Sequence, residues 1–276
     1  MNSLTPKKAL GQHWLHDDAT LESICESAHV KPGDNVLEIG PGLGTLTAKL
    51  LEKGSFVTAV EFDHELAVSL VNNLTHSANS QNSQWVVPIK EGVIQNLTVV
   101  EGDIMKFNLQ QLPEDYKVVA NIPYYLTSNL IRILCESPNP PSHASLLIQK
   151  EVAERVCASP GDMSLLSVSA QFYCEVSLGA FVPKTYFTPP PKVDSQVLEL
   201  AFRKTLLFQD VDIKDFFRIV KAGFSQKRKT LLNSLSGGLA IPKDDVKAWL
   251  KRADISENTR AQMLSLDDWH NLYVTK

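Results

Sequence analysis

The sequence predicts an α/β fold with a parallel, Rossmann-like sheet and a smaller C-terminal helical domain. Three observations support this prediction. Short apolar, β-branched runs alternate with helical patterns over the first two thirds of the chain. A glycine loop, Gly40-Pro41-Gly42-Leu43-Gly44, follows the first of these runs and opens a helix. Beyond Phe202 the apolar residues adopt helical spacing.

The spacing of the apolar residues predicts the individual strands and helices. Strands are expected near 35–39, 56–60, 97–101, 117–120 and 144–149, and helices near 45–53, 63–74 and 127–136. Two later apolar runs, near 168–176 and 195–202, are expected to add a hairpin-like edge. Residues 76–96 are rich in Asn, Gln and Ser, so we expect a surface excursion there rather than sheet core.

We place a domain boundary near residue 205. Residues 1–205 form the predicted Rossmann-like domain, with an N-terminal arm over 1–18, and residues 206–276 form the helical domain. Residues 1–200 carry 13 basic and 22 acidic side chains, whereas residues 201–276 carry 14 basic and 9 acidic ones. A basic tail on an acidic body favours a nucleic-acid partner for the helical domain.

Composition also argues against several classes of protein. The four cysteines lie far apart without a C-x-x-C pair, so neither a zinc site nor a disulfide framework is indicated. No apolar run reaches membrane-spanning length, and the first residues lack the apolar core of a signal peptide. We therefore expect a protein of the reduced cytoplasm, without a metal.

Three consecutive strand ends carry groups suited to a nucleoside. The glycine loop allows close backbone approach, Glu61 is placed for ribose hydroxyls, and Asp103 is placed to accept from an adenine amino group. NAD and S-adenosylmethionine both contain adenosine, so these groups alone do not separate them. A dinucleotide-binding loop has two residues before its third glycine, whereas only Leu43 stands between Gly42 and Gly44 here. Pro41 also stiffens the loop where a dinucleotide site would present backbone amides. Both features disfavour binding of a pyrophosphate. Alternatively, Glu61 is a solvated carboxylate and Asp103 caps a turn.

The most informative motif is Asn121-Ile122-Pro123-Tyr124, at the end of the predicted strand 117–120. The Asn121 side-chain oxygen and the Ile122 carbonyl can accept the two N–H bonds of an adenine amino group, while Pro123 adds no competing donor. Tyr124 can stack on an adenine lifted out of its helix. The alternative is simply a strand that ends in a turn.

Together these motifs resemble the ribosomal RNA adenine N6,N6-dimethyltransferase family over nearly the whole chain. The resemblance also rests on Lys8-Ala9-Leu10-Gly11-Gln12-His13-Trp14-Leu15 and on Phe187-Thr188-Pro189-Pro190-Pro191-Lys192-Val193. It implies a Rossmann-like methyltransferase that uses S-adenosylmethionine. The implied substrate is a pair of adjacent adenosines near the 3′ end of small-subunit (16S) ribosomal RNA, in an immature 30S-type particle. The enzyme is expected to be monomeric.

The resemblance also assigns roles to residues. The implied cofactor-binding residues are His13, Leu15, Gly40, Gly42, Glu61, Asp103 and Asn121. Asn121 bridges the cofactor and the target base, and Phe187 flanks that base opposite Tyr124. The alternative for Phe187 is an ordinary core aromatic. One departure is His13, which stands where the family usually has Asn. Because histidine is bulkier and titratable, we expect altered cofactor affinity or pH dependence rather than loss of activity.

Recognition of folded RNA is expected to depend on phosphate contacts. The densest basic cluster comprises Lys221, Lys227, Arg228 and Lys229, and Lys7 with Lys8 forms a second patch. The alternative for the cluster is a solvated helix face.

Three other functions remain open at this point. The protein could act mainly as a ribosome-assembly factor, which would bind an immature subunit without methyl transfer. A DNA adenine methyltransferase is the enzyme alternative, because those enzymes share a tetrad like Asn121-Ile122-Pro123-Tyr124. A nicotinamide oxidoreductase is least favoured, because no proton relay is evident.

Overall fold

The computed structural model describes residues 5–7, 10–79, 89–90 and 93–276. The chain divides into two compact units. The first comprises Met1–Ala153 with Glu175–Phe202, and the second comprises Glu154–Cys174 with Arg203–Lys276. Residues 154–174, which the boundary near 205 assigned to the first domain, therefore pack with the second unit.

The first unit is built on a seven-stranded sheet. From β1 to β8 its elements are, in chain order, β1 (Trp14–Leu15), α1 (Asp18–Ser27), β2 (Asn35–Ile39), α2 (Thr45–Glu52), β3 (Phe56–Glu61), α3 (His64–Asn79), β4 (Ile89–Lys90), β5 (Val93–Ile94), β6 (Leu97–Glu101), β7 (Lys117–Asn121), α4 (Thr127–Glu136) and β8 (His143–Gln149). Helix α5 (Lys150–Val156) then leads into the second unit, to which α6 (Leu165–Tyr173) belongs. The chain returns to the first unit with β9 (Cys174–Val182), β10 (Phe187–Thr188) and β11 (Ser195–Phe202). The sheet order is β6-β3-β2-β7-β8-β11-β9. The first five of these strands are parallel, and β11 is antiparallel to β8. The predicted Rossmann-like α/β fold is confirmed.

The strand order reverses beside β2. Strand β3 lies on one side of β2 and β7 lies on the other, which makes a topological switch point between β2 and β7. Ile39 of β2 is in register with Ala120 of β7, so both strands end at the same edge. Ligands of open α/β sheets bind in the crevice at such a point. The fold thus brings the glycine loop and Asn121 together.

All five predicted parallel-sheet strands are present. Val36, Leu37, Val118 and Val119 are at most 2% exposed, as are the central residues of β8. These strands read as continuous apolar runs because both faces of a parallel sheet are covered. Helix α4 has the predicted bounds of 127–136, and α2 ends one residue before the expected position.

The prediction of a strand over 168–176 is wrong for most of its length. Residues 168–173 belong to α6. Ser164 and Ser167 form a capping box, in which each side chain accepts from the other residue's backbone N–H. Val168 and Phe172, one helical turn apart, are both fully buried in the core of the second unit. The edge strand β9 begins only at Cys174, and the expected strand at 195–202 is present as β11.

The polar segment 76–96 lies partly outside the described residues. Helix α3 extends to Asn79, past its expected end at 74, and β4 pairs with β5 in a two-stranded antiparallel hairpin. This hairpin is separate from the seven-stranded sheet. Ile94 is nevertheless buried in the core of the first unit, so the segment is not wholly superficial.

The second unit is helical, as the spacing of its apolar residues predicted. Besides α6 it contains α7 (Ile213–Phe224), α8 (Leu231–Leu239), α9 (Lys243–Arg252) and α10 (Leu266–Val274). Its core is aromatic, with Phe172, Phe216 and Trp269 fully buried. Among the described residues, no helix is long and apolar enough to cross a lipid bilayer.

Candidate active site and cofactor cavity

A cavity of about 240 Å³ opens at the switch point of the sheet. Nine of the predicted site residues line it: His13, Gly40, Gly42, Glu61, Asp103, Asn121, Ile122, Pro123 and Tyr124. Concave sites of mainly apolar lining with a few convergent polar groups are typical of ligand binding. The structure therefore brings together residues that lie far apart in the sequence.

The glycine loop forms one wall of this cavity. Gly40 and Gly44 have φ angles of 67° and 90°, which favour glycine over any other residue. A Cβ on Gly44 would lie 2.8 Å from the Leu70 side chain, whereas a Cβ on Gly40 would meet no atom within 4 Å. A side chain at Gly44 would thus press on Leu70 of α3, whereas Gly40 leaves open space beside the end of β2.

Glu61 fixes this loop from the end of β3. Its carboxylate accepts hydrogen bonds from the backbone N–H groups of Gly42 (3.1 Å) and Asp63 (2.8 Å). Glu61 is only 5% exposed, and burial raises the pKa of its carboxyl while the two backbone donors oppose that shift. The alternative of a solvated carboxylate is therefore wrong.

Asp103 fits both of its predicted roles at once. Its Oδ1 accepts from the Met105 backbone N–H at 2.9 Å, which caps the turn after β6. The residue also lines the cavity beside Gly102. Capping engages Oδ1, so it does not prevent the carboxylate from serving a ligand as well.

Asn121 is held by the N-terminal arm. Its Nδ2 donates to the His13 carbonyl at 3.1 Å. Because a carbonyl only accepts hydrogen bonds, the amide nitrogen must face the arm, and Oδ1 is left as the acceptor for a ligand. Tyr124 is anchored through its hydroxyl to Ser195 Oγ at 2.8 Å. Burial raises the pKa of the Tyr124 hydroxyl, so the ring carries no charge at neutral pH.

Comparison with known proteins identifies the family to which the chain belongs. The family model described as ribosomal RNA adenine dimethylase matches residues 4–276. The chain belongs to the ribosomal RNA adenine dimethylase family. It is 38% identical to ribosomal RNA small subunit methyltransferase A of Dehalococcoides mccartyi strain 195, over 98% of this chain and 88% of that protein. The protein of the same name from Clostridioides difficile strain 630 is 37% identical, over 95% and 88%.

Solved structures give the same result. A dimethyladenosine transferase from Plasmodium falciparum superposes with a TM-score of 0.75 at 26% identity, covering 95% of this chain and 96% of that one. The 23S rRNA methyltransferase ErmE superposes with a TM-score of 0.71 at 27% identity, covering 95% and 98%. This family member is thus a methyltransferase that uses S-adenosylmethionine.

The cavity residues fit that cofactor. S-adenosylmethionine carries a cationic sulfonium, an ammonium group and an adenosine. Gly40 leaves room beside the loop, and Glu61 and Asp103 supply carboxylates. A third carboxyl, Glu38 of β2, also lines the cavity. These residues would hold the methionine and adenosine parts between the ends of β2, β3 and β6.

Glu38, which lines the cavity, is a candidate site residue that sequence reasoning missed. It is 1% exposed, and neither carboxyl oxygen has a hydrogen-bond partner within the described residues. Burial raises its pKa to about 8, and the charge of Glu61 adds to the shift; the nearby Thr47 hydroxyl opposes it, although its geometry falls short of a hydrogen bond. A buried carboxyl without a partner is costly. The signal was present in Val36-Leu37-Glu38-Ile39, where a charge interrupts an apolar strand.

Leu15 and Phe187 are predicted site residues that do not line the cavity. They pair with each other where β1 runs antiparallel to β10, and they are 2% and 4% exposed in the core of the first unit. The ring beside Tyr124 is that of His13. The centroids of the His13 and Tyr124 rings are 6.1 Å apart, and the angle between the ring planes is 25°. His13 Nδ1 also bonds to the Pro189 carbonyl at 2.7 Å.

The His13→Asn variant tests the departure from the family pattern. We expect it to stay active, because asparagine retains a donor for the Pro189 carbonyl, but to change the cofactor dissociation constant by roughly 1 kcal/mol or about fivefold. Titration calorimetry with S-adenosylmethionine measures this change. An identical dissociation constant in both proteins would mean that His13 does not affect the cofactor.

The predicted RNA-contact residues fall into two groups. Lys7 forms ion pairs with Asp63 (2.9 Å) and Glu65 (2.8 Å), so it fastens the arm to the start of α3. The raised pKa of Lys7 follows from these same two carboxylates. Lys8 lies outside the described residues. The basic cluster lies at the end of α7 and in the turn before α8, and its exposed members are Lys221, Lys227, Arg228 and Lys229.

Proposed function

We propose that this enzyme dimethylates N6 of two adjacent adenosines near the 3′ end of small-subunit ribosomal RNA. The substrate is an immature 30S-type particle, and the enzyme acts as a cytoplasmic monomer. The observation that carries this proposal is the placement of Asn121-Ile122-Pro123-Tyr124 beside the glycine loop in one cavity. The small-subunit target is supported by the names of the relatives at 35–38% identity.

The chemistry follows from the acceptors of the tetrad. S-adenosylmethionine supplies an electrophilic sulfonium methyl. Asn121 Oδ1 and the Ile122 carbonyl accept the two N–H bonds of the adenine amine and turn its lone pair towards that methyl. Transfer of the methyl would leave S-adenosylhomocysteine and a cationic N6, whose charge these fixed dipoles stabilise and whose proton passes to water, so the step needs neither a general base nor a metal. Most of the acceleration comes from positioning, for which effective molarities reach roughly 10⁵–10⁸ M.

The second methylation makes a further demand on the same residues. N6-methyladenosine retains only one N–H bond, so only one of the two acceptors can be engaged. Tyr124 then has the larger part in holding the base, through stacking worth roughly 1–3 kcal/mol. Its hydroxyl bond to Ser195 keeps the ring in place for both rounds.

Mass spectrometry of ribosomal RNA tests the proposal. Undermethylated small subunits and, in parallel, large subunits are incubated with the protein and S-adenosylmethionine. We expect dimethyladenosine at two adjacent positions of the small-subunit RNA. Dimethylation of the large subunit alone would favour an activity like that of ErmE, to which this chain is 27% identical. Binding without any methyl transfer would favour a pure assembly factor.

The basic cluster of α7 and α8 is proposed to contact RNA phosphates. Reversing the charge of Lys227, Arg228 and Lys229 is expected to weaken binding to small subunits and to flatten its salt dependence by about 0.9 per lost phosphate contact. Lys247→Glu is the control, because Lys247 is already paired with Glu257 at 2.9 Å. If the triple variant keeps the salt slope of the control, the cluster lies outside the RNA footprint.

A further inference from the structure

We propose that a surface beside the active-site cavity binds the single-stranded nucleotides that flank the target adenosine. We call it the flanking-strand face and define it by Lys150, Phe181, Lys184, Tyr186 and Lys192. It deepens the proposed function, because it rests on an adenosine of ribosomal RNA entering the cavity. Lys192 lies in the motif from Phe187 to Val193, and the other four residues belong to none of the motifs that bind the cofactor or grip N6.

The face is joined to the cavity at two places in the segment 181–195. In the middle of the segment, His13 Nδ1 bonds to the Pro189 carbonyl at 2.7 Å, and Trp14 pairs with Thr188. At its carboxyl end, Ser195 bonds to the Tyr124 hydroxyl at 2.8 Å. His13, Trp14 and Tyr124 all line the cavity. A nucleotide chain that leaves this rim therefore meets residues 181–193 next.

The segment is held rigidly rather than hanging free. Lys184–Tyr186 forms a short 3₁₀ turn. The Lys184 backbone N–H donates to Asp194 Oδ1 at 3.0 Å, and the Lys150 N–H donates to the Asp194 carbonyl at 3.1 Å. Asp194, the one carboxylate among residues 181–195, thus accepts a backbone hydrogen bond. A preordered surface loses little entropy on binding.

Its chemistry matches single-stranded RNA. Residues 181–195 contain two lysines and one carboxylate, Asp194, whereas residues 1–200 as a whole carry 13 basic and 22 acidic side chains. The Phe181 and Tyr186 rings are 51% and 43% exposed, and Lys150 Nζ lies 5.5 Å from the Phe181 centroid. Exposed aromatic rings stack on unpaired bases, and lysines beside them neutralise phosphates. The alternation of exposed aromatic rings and lysines favours RNA over an apolar protein partner.

Charge reversal tests the electrostatic half of the proposal. Lys184→Glu with Lys192→Glu is expected to raise KM for undermethylated small subunits at least about tenfold and to lower the salt slope of binding by about 1.4, or 0.7 for each of two phosphates. Lys31→Glu is the control, because Lys31 is exposed before the amino end of β2, at the opposite edge of the sheet. The dissociation constant of S-adenosylmethionine should stay unchanged in both variants, which also shows that they fold.

Ring removal tests the stacking half. Tyr186→Ala should weaken binding to a transcript of the flanking RNA by roughly five- to hundredfold, whereas Tyr186→Phe, which keeps the ring, should bind like the wild type. An unchanged salt slope in the double lysine variant, with a wild type that methylates normally, overturns the face without touching the proposed function. Loss of binding to whole particles but not to the naked transcript also overturns it, because the partner is then a ribosomal protein.

Discussion

Asn121→Ala is expected to slow the methylation step by roughly 10²–10³-fold, the range found when one preorganised polar contact to developing charge is removed. The physical reason is that Asn121 Oδ1 is the side-chain acceptor for the adenine amine, since Nδ2 is already engaged by the His13 carbonyl. Cofactor affinity should fall much less. Single-turnover kinetics with saturating S-adenosylmethionine, combined with calorimetry, separates the two effects.

Tyr124→Phe is the matched comparison for this variant. It keeps the stacking ring and loses only the hydroxyl bond to Ser195, so we expect a loss of about fivefold, or about 1 kcal/mol. Equal losses of methylation rate and cofactor affinity in Asn121→Ala would contradict the assigned role, because the contact with the cofactor would then dominate. Thermal unfolding of both variants excludes a general loss of structure.

The position of Asn121 could be predicted from the sequence because two independent patterns converge on it. A β-branched run predicts a buried strand, and the carboxyl end of such a strand in an α/β sheet is where ligands bind. The register of Ile39 with Ala120 then follows from the parallel sheet. Local pattern and topology agree for this part of the site.

The segment 168–176 shows where local patterns fail. A run of apolar residues fits a buried strand or a buried helix equally well, and length and caps must decide between them. Here Ser164 and Ser167 supply a capping box, and Val168 with Phe172 packs into the second unit. Only the tertiary contacts of that unit make the helix the stable choice.

Side chains of the site were harder to predict than its backbone. Phe187 follows the family motif, yet its ring packs in the core beside Leu15 rather than in the cavity. Lys7 reads as a free cation but is paired with Asp63 and Glu65, contributed by a segment more than fifty residues away. Such pairings depend on where the arm meets the start of α3, which no short motif encodes.

Glu38→Gln is expected to stabilise the cofactor-free enzyme at alkaline pH. Its ordinary pKa of 4.5 is raised to about 8 by burial, so the folded state holds a proton that the unfolded state has lost. Between pH 4.5 and about 8 the folded state binds more protons, and stability must fall as pH rises through this window. Below pH 4.5 the buried Glu38 carboxyl does not reduce the free energy of unfolding, and above about pH 8 the full reduction is present.

Urea unfolding at pH 5.5, 7 and 8.5 measures this effect. The free energy of unfolding of the wild type should fall across the series more steeply than that of Glu38→Gln, which carries no titrating group at this position. Glu61 also has a raised pKa and is present in both proteins, so the difference between them reports Glu38 together with its coupling to Glu61. Parallel curves for the two proteins would mean that Glu38 is solvated in the folded state.

The same carboxyl links cofactor binding to pH. A cation bound in the cavity favours the ionised form of Glu38, so uptake of S-adenosylmethionine should release a proton below about pH 8. The affinity of the wild type should then rise with pH by up to about tenfold per unit, because one pKa unit corresponds to about 1.36 kcal/mol. Calorimetry in two buffers of different ionisation enthalpy counts the protons directly.

Glu38→Gln should bind S-adenosylmethionine at least about tenfold more weakly than the wild type at pH 8 and release fewer protons, since its amide cannot ionise to meet the cation. Proton release equal to that of the wild type would assign the linkage to Glu61 instead.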